Sequence, residues 1–413
     1  MKRRVAITGM GAVTPLGPTV ETTWEGLVHG RSGIGAISRF DASGFSCRIA
    51  GEIDRLPPIA GLPGKVLRRL DPFARYALAA CDEAMTQAGL TGDSWDRERW
   101  GAVVGTSRGG MTTLESNWKA YHERGVRGIS PHVTISSLIN QAPAVISQVH
   151  RLHGPSLAVS TACASGAHAI GEAARLIRSG DADVVITGGA EAPITPMIIA
   201  GFSRIHALSL MNQAPKKACR PFDRDRDGFV ISEGAGLLVL EAWEYAEMRG
   251  ANILGELLGV GMSSDAYHST APDPEGVGMA RSMTLAMSDA GVGPDEIDLI
   301  NAHGTGTVLN DRTESRAIEN ALGRWGRTLP VCAIKSMTGH MLGASGAVEA
   351  IVSVLSARRN LVPPVRNLEN LDPECRLSPV RGEALRENVA TVLSSSFAFG
   401  GANAALVIRG FKS

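Results

Sequence analysis

The 413-residue chain predicts an α/β protein made of two similar halves. Three observations predict this class. Short apolar runs of strand character alternate with runs whose apolar residues recur at helical spacing. The pattern starts afresh near residue 250. In each half a strand enters a turn of small or reactive residues and leaves through a small-residue helix. Ser156–Val159 leads into Thr161-Ala162-Cys163, and the strand at 332–334 leads into Lys335–His340. Two sheets lying back to back, with strand ends converging on one site, satisfy this pattern. The boundary falls between residues 1–250, carrying the cysteine turn, and 251–413, carrying the histidine turns.

Taken in order, residues 4–9 read as a first strand ending at Gly9 and Gly11. The lone G-x-G there lacks the third glycine of a dinucleotide fingerprint. Residues 72–88 form an Ala-rich helix and 101–106 a strand. Residues 107–155 are Gly- and Ser-rich with short helical pieces, as befits a cover over a site or interface. After Ser156–Val159, the run AHAIGEAARLI has helical spacing and stops at Gly180. Residues 183–187 read as a strand closed by a Gly188-Gly189 turn, 215–228 (PKKACRPFDRDRDG) as a polar loop, and 229–241 as a strand. The second half repeats the alternation: strand 254–262, helix 278–290, strand 297–302, helix 311–322, strand 331–334 and helix 346–358. Two strands, 389–395 and 402–408, flank Phe397-Ala398-Phe399-Gly400-Gly401.

Composition excludes several classes. Lys+Arg and Asp+Glu both count 41, so the basic excess of a nucleic-acid binder is missing. Six scattered cysteines form no C-x-x-C or Cys/His cluster, which argues against a zinc site or a disulfide framework and fits a reducing cytoplasm. Lys2-Arg3-Arg4 could open a signal peptide, but Thr8, Gly9 and Gly11 break the apolar run too soon. No run reaches the roughly 18 apolar residues of a membrane helix.

Chemistry gathers at three turns. Cys163 lies at a helix start, where unpaired N–H groups favour a thiolate and small neighbours leave room for substrate. The same surroundings suit an inert core thiol. His303 and His340 each follow a buried strand with glycine neighbours that allow close approach. A Cys–His pair alone suits a thiol hydrolase. Two neutral imidazoles suit a different task, gripping one thioester carbonyl while an enolate forms. Lys335 could hold a proton or orient the cluster, and Glu349 could be its buried counter-ion. Asp311 and Glu314 stand at a helix start, where acids satisfy free N–H groups.

The stretches STACASG, NAHGTGT, KSMTGHMLGASGAVE and SFAFGGAN, in this order and spacing, resemble the β-ketoacyl-acyl-carrier-protein synthases, both the elongating type II enzymes and the type II polyketide ketosynthases. The resemblance covers essentially the whole chain. It implies a thiolase-like five-layer α-β-α-β-α fold, a homodimer or a heterodimer with a chain-length-factor paralogue, and decarboxylative condensation. Substrates would ride on the phosphopantetheine of acyl carrier protein, with no other cofactor and no metal. It further implies Cys163 as the acylated nucleophile and His303 and His340 as aids to decarboxylation and enolate stabilisation. Lys335 and Glu349 match supporting charges, and Asp311 and Glu314 an acidic pair. Phe399 is implied as gate and, with Cys163, as oxyanion donor, and Thr305 and Thr307 as hydroxyls meeting the pantetheine arm. The basic cluster Lys65, Arg68 and Arg69 is implied to dock the acidic carrier.

Some positions depart from the family pattern. Ala398 replaces a glycine in the gating loop, which would strain a backbone needing positive φ. Ser395-Ser396-Phe397 replaces Asn-Ser-Phe beside a possible cation site at Glu349. Arg108 stands where an apolar residue usually lines the acyl pocket, a costly place for an unpaired charge. A non-catalytic chain-length factor and a thiolase are the alternatives. The first usually lacks the nucleophile; the second wants another reactive cysteine, and Cys375 in Pro373-Glu374-Cys375 is its candidate.

Overall fold

The computed structural model describes residues 2–92 and 95–412. Eleven strands form its main sheet: β1 Val5–Val13, β2 Trp100–Gly105, β3 Ser156–Val159, β4 Val184–Glu191, β5 Gly234–Ala242, β6 Gly255–Ser264, β7 Leu299–Asn301, β8 Pro330–Cys332, β9 Ser378–Pro379, β10 Thr391–Phe397 and β11 Ala402–Gly410. Their spatial order is β9-β8-β7-β10-β11-β6-β1-β5-β4-β2-β3. The junction between β6 and β1 consists of two residue pairs, Ala6 with Glu256 and Ile7 with Gly255. On either side of it the topology repeats. In the first half β3, β2 and β4 run parallel, and β5 and β1 follow antiparallel. In the second, β8, β7 and β10 run parallel, and β11 and β6 follow antiparallel.

Five helices complete the layers: α1 Pro72–Gln87, α2 Ser165–Ser179, α3 Val277–Ala290, α4 Val308–Leu322 and α5 Ser345–Arg359. Helices α2 and α5 touch each other and strands of both halves, so they form the middle layer. Helix α1 covers the outer face of the first half, and α3 and α4 that of the second. This is the expected α-β-α-β-α arrangement. The middle helices explain their composition. Buried on all sides, α5 carries Gly346, Ala347, Val348 and Ala350 rather than a single apolar stripe. Each middle helix ends on a left-handed residue, Gly180 at φ 84° and Asn360 at φ 49°.

Three readings change. The first strand does not end at Gly9 and Gly11 but runs through both to Val13, pairing them with Val239 and Leu237. Gly188 and Gly189 are no turn, because β4 runs through them to Glu191. They are glycines because of close approach: a Cβ on Gly188 would lie 2.1 Å from the Gly236 oxygen, and one on Gly189 2.4 Å from the Gly343 oxygen. The stretch 215–228 is polar in sequence but largely buried. Arg226 is 4% exposed, and its Nη1 donates to Asp372 Oδ2 at 2.8 Å. Asp223 Oδ2 accepts the Glu369 and Asn370 N–H groups, each at 2.8 Å. Charges so far apart in sequence pair only in the fold.

Candidate active site

The parallel strands of both halves deliver their C-terminal ends to one place. After β3 the chain makes a single tight turn, Ala162–Ala164, and enters α2. Ala162 takes φ 50°, and the Ser165 hydroxyl pins the turn by accepting from the Thr161 N–H at 2.9 Å and donating to the Ala162 oxygen at 2.7 Å. Cys163 thus precedes the helix proper. It is half-buried, and the Phe399 backbone N–H is among the groups that favour its thiolate. Burial pushes the thiol up to about 12, against the pull of Lys335. Desolvation is the largest influence on the thiol and favours its neutral form.

His303 follows β7 and His340 follows β8; their rings meet edge-on with centroids 5.3 Å apart. Burial holds both imidazoles well below their ordinary pKa, and Lys335 adds to this in each case. Both are neutral, as the sequence suggested. The Lys335 ammonium is 1% exposed and donates to the His303 oxygen at 2.5 Å, to His303 Nδ1 at 3.2 Å and to Glu349 Oε1. An ammonium only donates, so Nδ1 of His303 accepts and its proton sits on Nε2. His340 Nδ1 lies 3.0 Å from the Ser345 hydroxyl.

Asp311 and Glu314 do not satisfy their own helix start, which Thr307 caps. They hold the preceding loop instead. Glu314 accepts the His303 N–H at 2.6 Å and the Gly304 N–H at 2.8 Å. Asp311 accepts the Phe222 N–H at 2.8 Å and the Gly306 N–H at 3.2 Å. Burial raises Glu314 to about 7.

A cavity of about 300 Å³ opens onto Cys163, His303 and His340, and Thr305, Thr307 and Phe399 also line it. Phe202, Phe229 and Phe397 supply aromatic wall; no motif flagged the first two, and only their placement reveals them. Ala398 lines it without strain: in this loop the positive φ values belong to Gly400 and Gly401. Other expected residues lie elsewhere. Arg108 is exposed and outside the lining, with its guanidinium carbon 6.0 Å from the Phe202 ring centre. Lys65, Arg68 and Arg69 are exposed, and the two arginines border a separate polar cleft with Arg75 and His132. Cys375 is buried with its thiol 3.6 Å from the Asp311 oxygen, away from the cavity.

A doubled α/β fold that brings one thiol and two neutral imidazoles to a shared cavity is the build of a thiolase-like acyltransferase that joins acyl units. The chain belongs to the beta-ketoacyl synthase family, whose N-terminal domain matches residues 2–246 and whose C-terminal domain matches residues 254–369. A 3-oxoacyl-[acyl-carrier-protein] synthase 2 of Coxiella burnetii is 45% identical over 407 residues, 98% of each chain. The ishigamide ketosynthase/chain length factor structure superposes with a TM-score of 0.93 at 38% identity, covering 100% of both chains. A type II polyketide ketosynthase bound to its hexaketide, in complex with its acyl-carrier protein, gives 0.91 at 31% identity, again covering 100% of both.

Proposed function

We propose that this chain elongates acyl chains carried on acyl carrier protein, by decarboxylative Claisen condensation in fatty acid or type II polyketide synthesis. The observation that carries the reading is the meeting of Cys163, His303 and His340 in one cavity that Phe399 also lines. The Cys163 thiol attacks the thioester carbonyl of the acyl carrier, and the thiol proton leaves with the carrier's phosphopantetheine sulfur. Malonyl carrier protein then binds, with Thr305 and Thr307 offering hydroxyls to its pantetheine arm. Its carboxylate departs as carbon dioxide, and the electron pair left behind forms an enolate. The imidazole N–H groups of His303 and His340 hold the enolate oxygen. The enolate carbon attacks the acyl-Cys163 carbonyl, and the Cys163 and Phe399 N–H groups hold the resulting oxyanion. Collapse releases the β-ketoacyl carrier and the Cys163 thiolate, which takes up a proton. Thioesters and decarboxylation supply all the reactivity, so no further cofactor enters.

In this reading residues 1–250 contribute the nucleophile and 251–413 both histidines. Lys65, Arg68 and Arg69 attract the acidic carrier. A second subunit, identical or a chain-length-factor paralogue, covers the outer strand β3. Exposed Leu157 on that strand and exposed Leu138 and Ile139 nearby in sequence support this. Arg108 then meets that subunit or the far end of the acyl pocket. We place the protein in the cytoplasm, where its six free cysteines stay reduced. Among the described residues no helix is long and apolar enough to cross a membrane. The thiolase alternative lacks a second cysteine in the cavity.

The test is to incubate the purified protein with malonyl carrier protein and a ladder of acyl carriers. Extension by the protein alone makes it self-sufficient. Extension only with a paralogue makes it half of a heterodimer. Extension under neither condition overturns the proposal.

A further inference from the structure

One buried carboxylate beside the site plays no part in the reaction just described. We infer that Glu191 is a positioning residue: from the end of β4 it ties the Thr106–Arg108 turn of the first half to Gly343 of the second, and so fixes how Cys163 and His340 face each other. This rests on the function proposed above.

Glu191 is 0% exposed. Its Oε1 accepts from the Thr106 hydroxyl and the Arg108 N–H, both at 3.1 Å. Its Oε2 accepts from the Ser107 N–H at 2.6 Å and the Gly343 N–H at 3.1 Å. Four donors meet two oxygens, so an added proton would have no acceptor to face, and the bound form is the anion. Burial pushes the carboxyl pKa up; the backbone donors pull the other way.

The far end of this tie is special. Cys163-Ala164-Ser165-Gly166-Ala167 and Gly343-Ala344-Ser345-Gly346-Ala347 occupy matching places in the two halves, each turn preceded by a residue of positive φ, Ala162 at 50° and Leu342 at 44°. Gly343 is thus the counterpart of Cys163. A Cβ there would lie 2.6 Å from Glu191 Oε2, so the carboxylate fills the space a side chain would need. On its other side the Gly343 oxygen is 2.8 Å from a Cβ placed on Gly166, the second residue of α2 behind Cys163. Gly343 is therefore held between Glu191 and the cysteine helix, three residues after His340. Releasing it lets the His340 loop drift from the thiol.

The charge gives the tie a signature. Glu191 is among the groups that hold the Cys163 thiol up. Removing the charge makes the thiol more acidic while the lost tie slows condensation. A merely structural lesion lowers both thiol reactivity and turnover.

The experiment compares the parent, Glu191→Gln and Glu191→Asp, each with whatever partner subunit the parent requires. Condensation kinetics and the pH profile of Cys163 alkylation by iodoacetamide are measured for each. For Glu191→Gln, kcat should fall about tenfold or more while KM for the carriers stays within about twofold, and alkylation should shift to lower pH. Glu191→Asp keeps the charge but lacks the reach, so its alkylation profile should stay near the parent's while kcat still falls. If Glu191→Gln does not fold, Thr106→Val removes one of the four donors and also leaves the Gly109 N–H without its acceptor; its kcat should fall about threefold with a lowered melting temperature but a folded protein. The inference is overturned if the variants keep kcat within about twofold of the parent, or if alkylation and condensation fall together. A parent that does not condense overturns the proposed function instead.

Discussion

Lys335 brings a full charge to a place water hardly reaches, and three acceptors meet its three N–H bonds. Removing one partner of such a pair strands the other, which costs about 3–5 kcal/mol, whereas removing both costs less. Lys335→Met should therefore lower thermal stability more than Lys335→Met/Glu349→Gln, as calorimetry would show. The double variant isolates a second effect. Lys335 helps hold His303 below its ordinary pKa. Without that charge the His303 pKa rises, so the acid limb of the malonyl decarboxylation profile should move to higher pH. An unmoved limb contradicts the link. At this scale the sequence was informative where a motif was dense: Cys163, His303, His340 and Lys335 all reach one site. Glu191 gave no signal, since a single acid just past a Gly188-Gly189 pair read as a turn looks like an ordinary loop residue. Phe202 gave none either, because wall residues are chosen by shape.

At the scale of elements, the small residues are the points where layers touch. A Cβ on Gly11 of β1 would lie 1.8 Å from the Ala80 oxygen of α1. Gly11→Ala forces these apart, and denaturant unfolding should report a loss of about 2–3 kcal/mol, with acylation of whatever remains folded unchanged. The same logic explains what the sequence did and did not reveal. Strand and helix alternation was legible because each period has its own hydrophobic pattern. The Gly188-Gly189 pair looked like a turn because glycine marks both turns and close packing, and the facing Gly236 and Gly343 lie far along the chain. The loop 215–228 looked solvated because its partners, Asp311 and Asp372, lie about 85 and 146 residues from Arg226. The CASGA and GASGA repeat was there to be read; it identifies Gly343 as the silent counterpart of Cys163.

At the scale of the molecule, two copies of one topology meet at a two-pair junction and share a helical layer, which is why one site draws on both. Many acids are buried in building it. Glu314 is raised to about 7 from 4.5, and Asp71 to about 6 from 3.8. These two carboxyls hold protons in the folded state that the unfolded chain has released, so their contribution to stability falls as pH rises through the window from about 4 to 7, whereas His303 and His340, held well below their ordinary pKa, contribute in the opposite sense. Glu314→Gln isolates one contribution: as pH rises from 4.5 to about 7 the Tm of the variant should gain on that of the parent, and a difference that does not change with pH contradicts this. The most direct test of the central claim is to find where the acyl group sits. The protein is incubated with acyl carrier protein bearing a labelled acyl chain, then digested and mapped by mass. The account predicts one thioester, on Cys163, absent from Cys163→Ser, which should also lose condensation. An acyl group on another residue, or condensation by Cys163→Ser at the parent's rate, would contradict it.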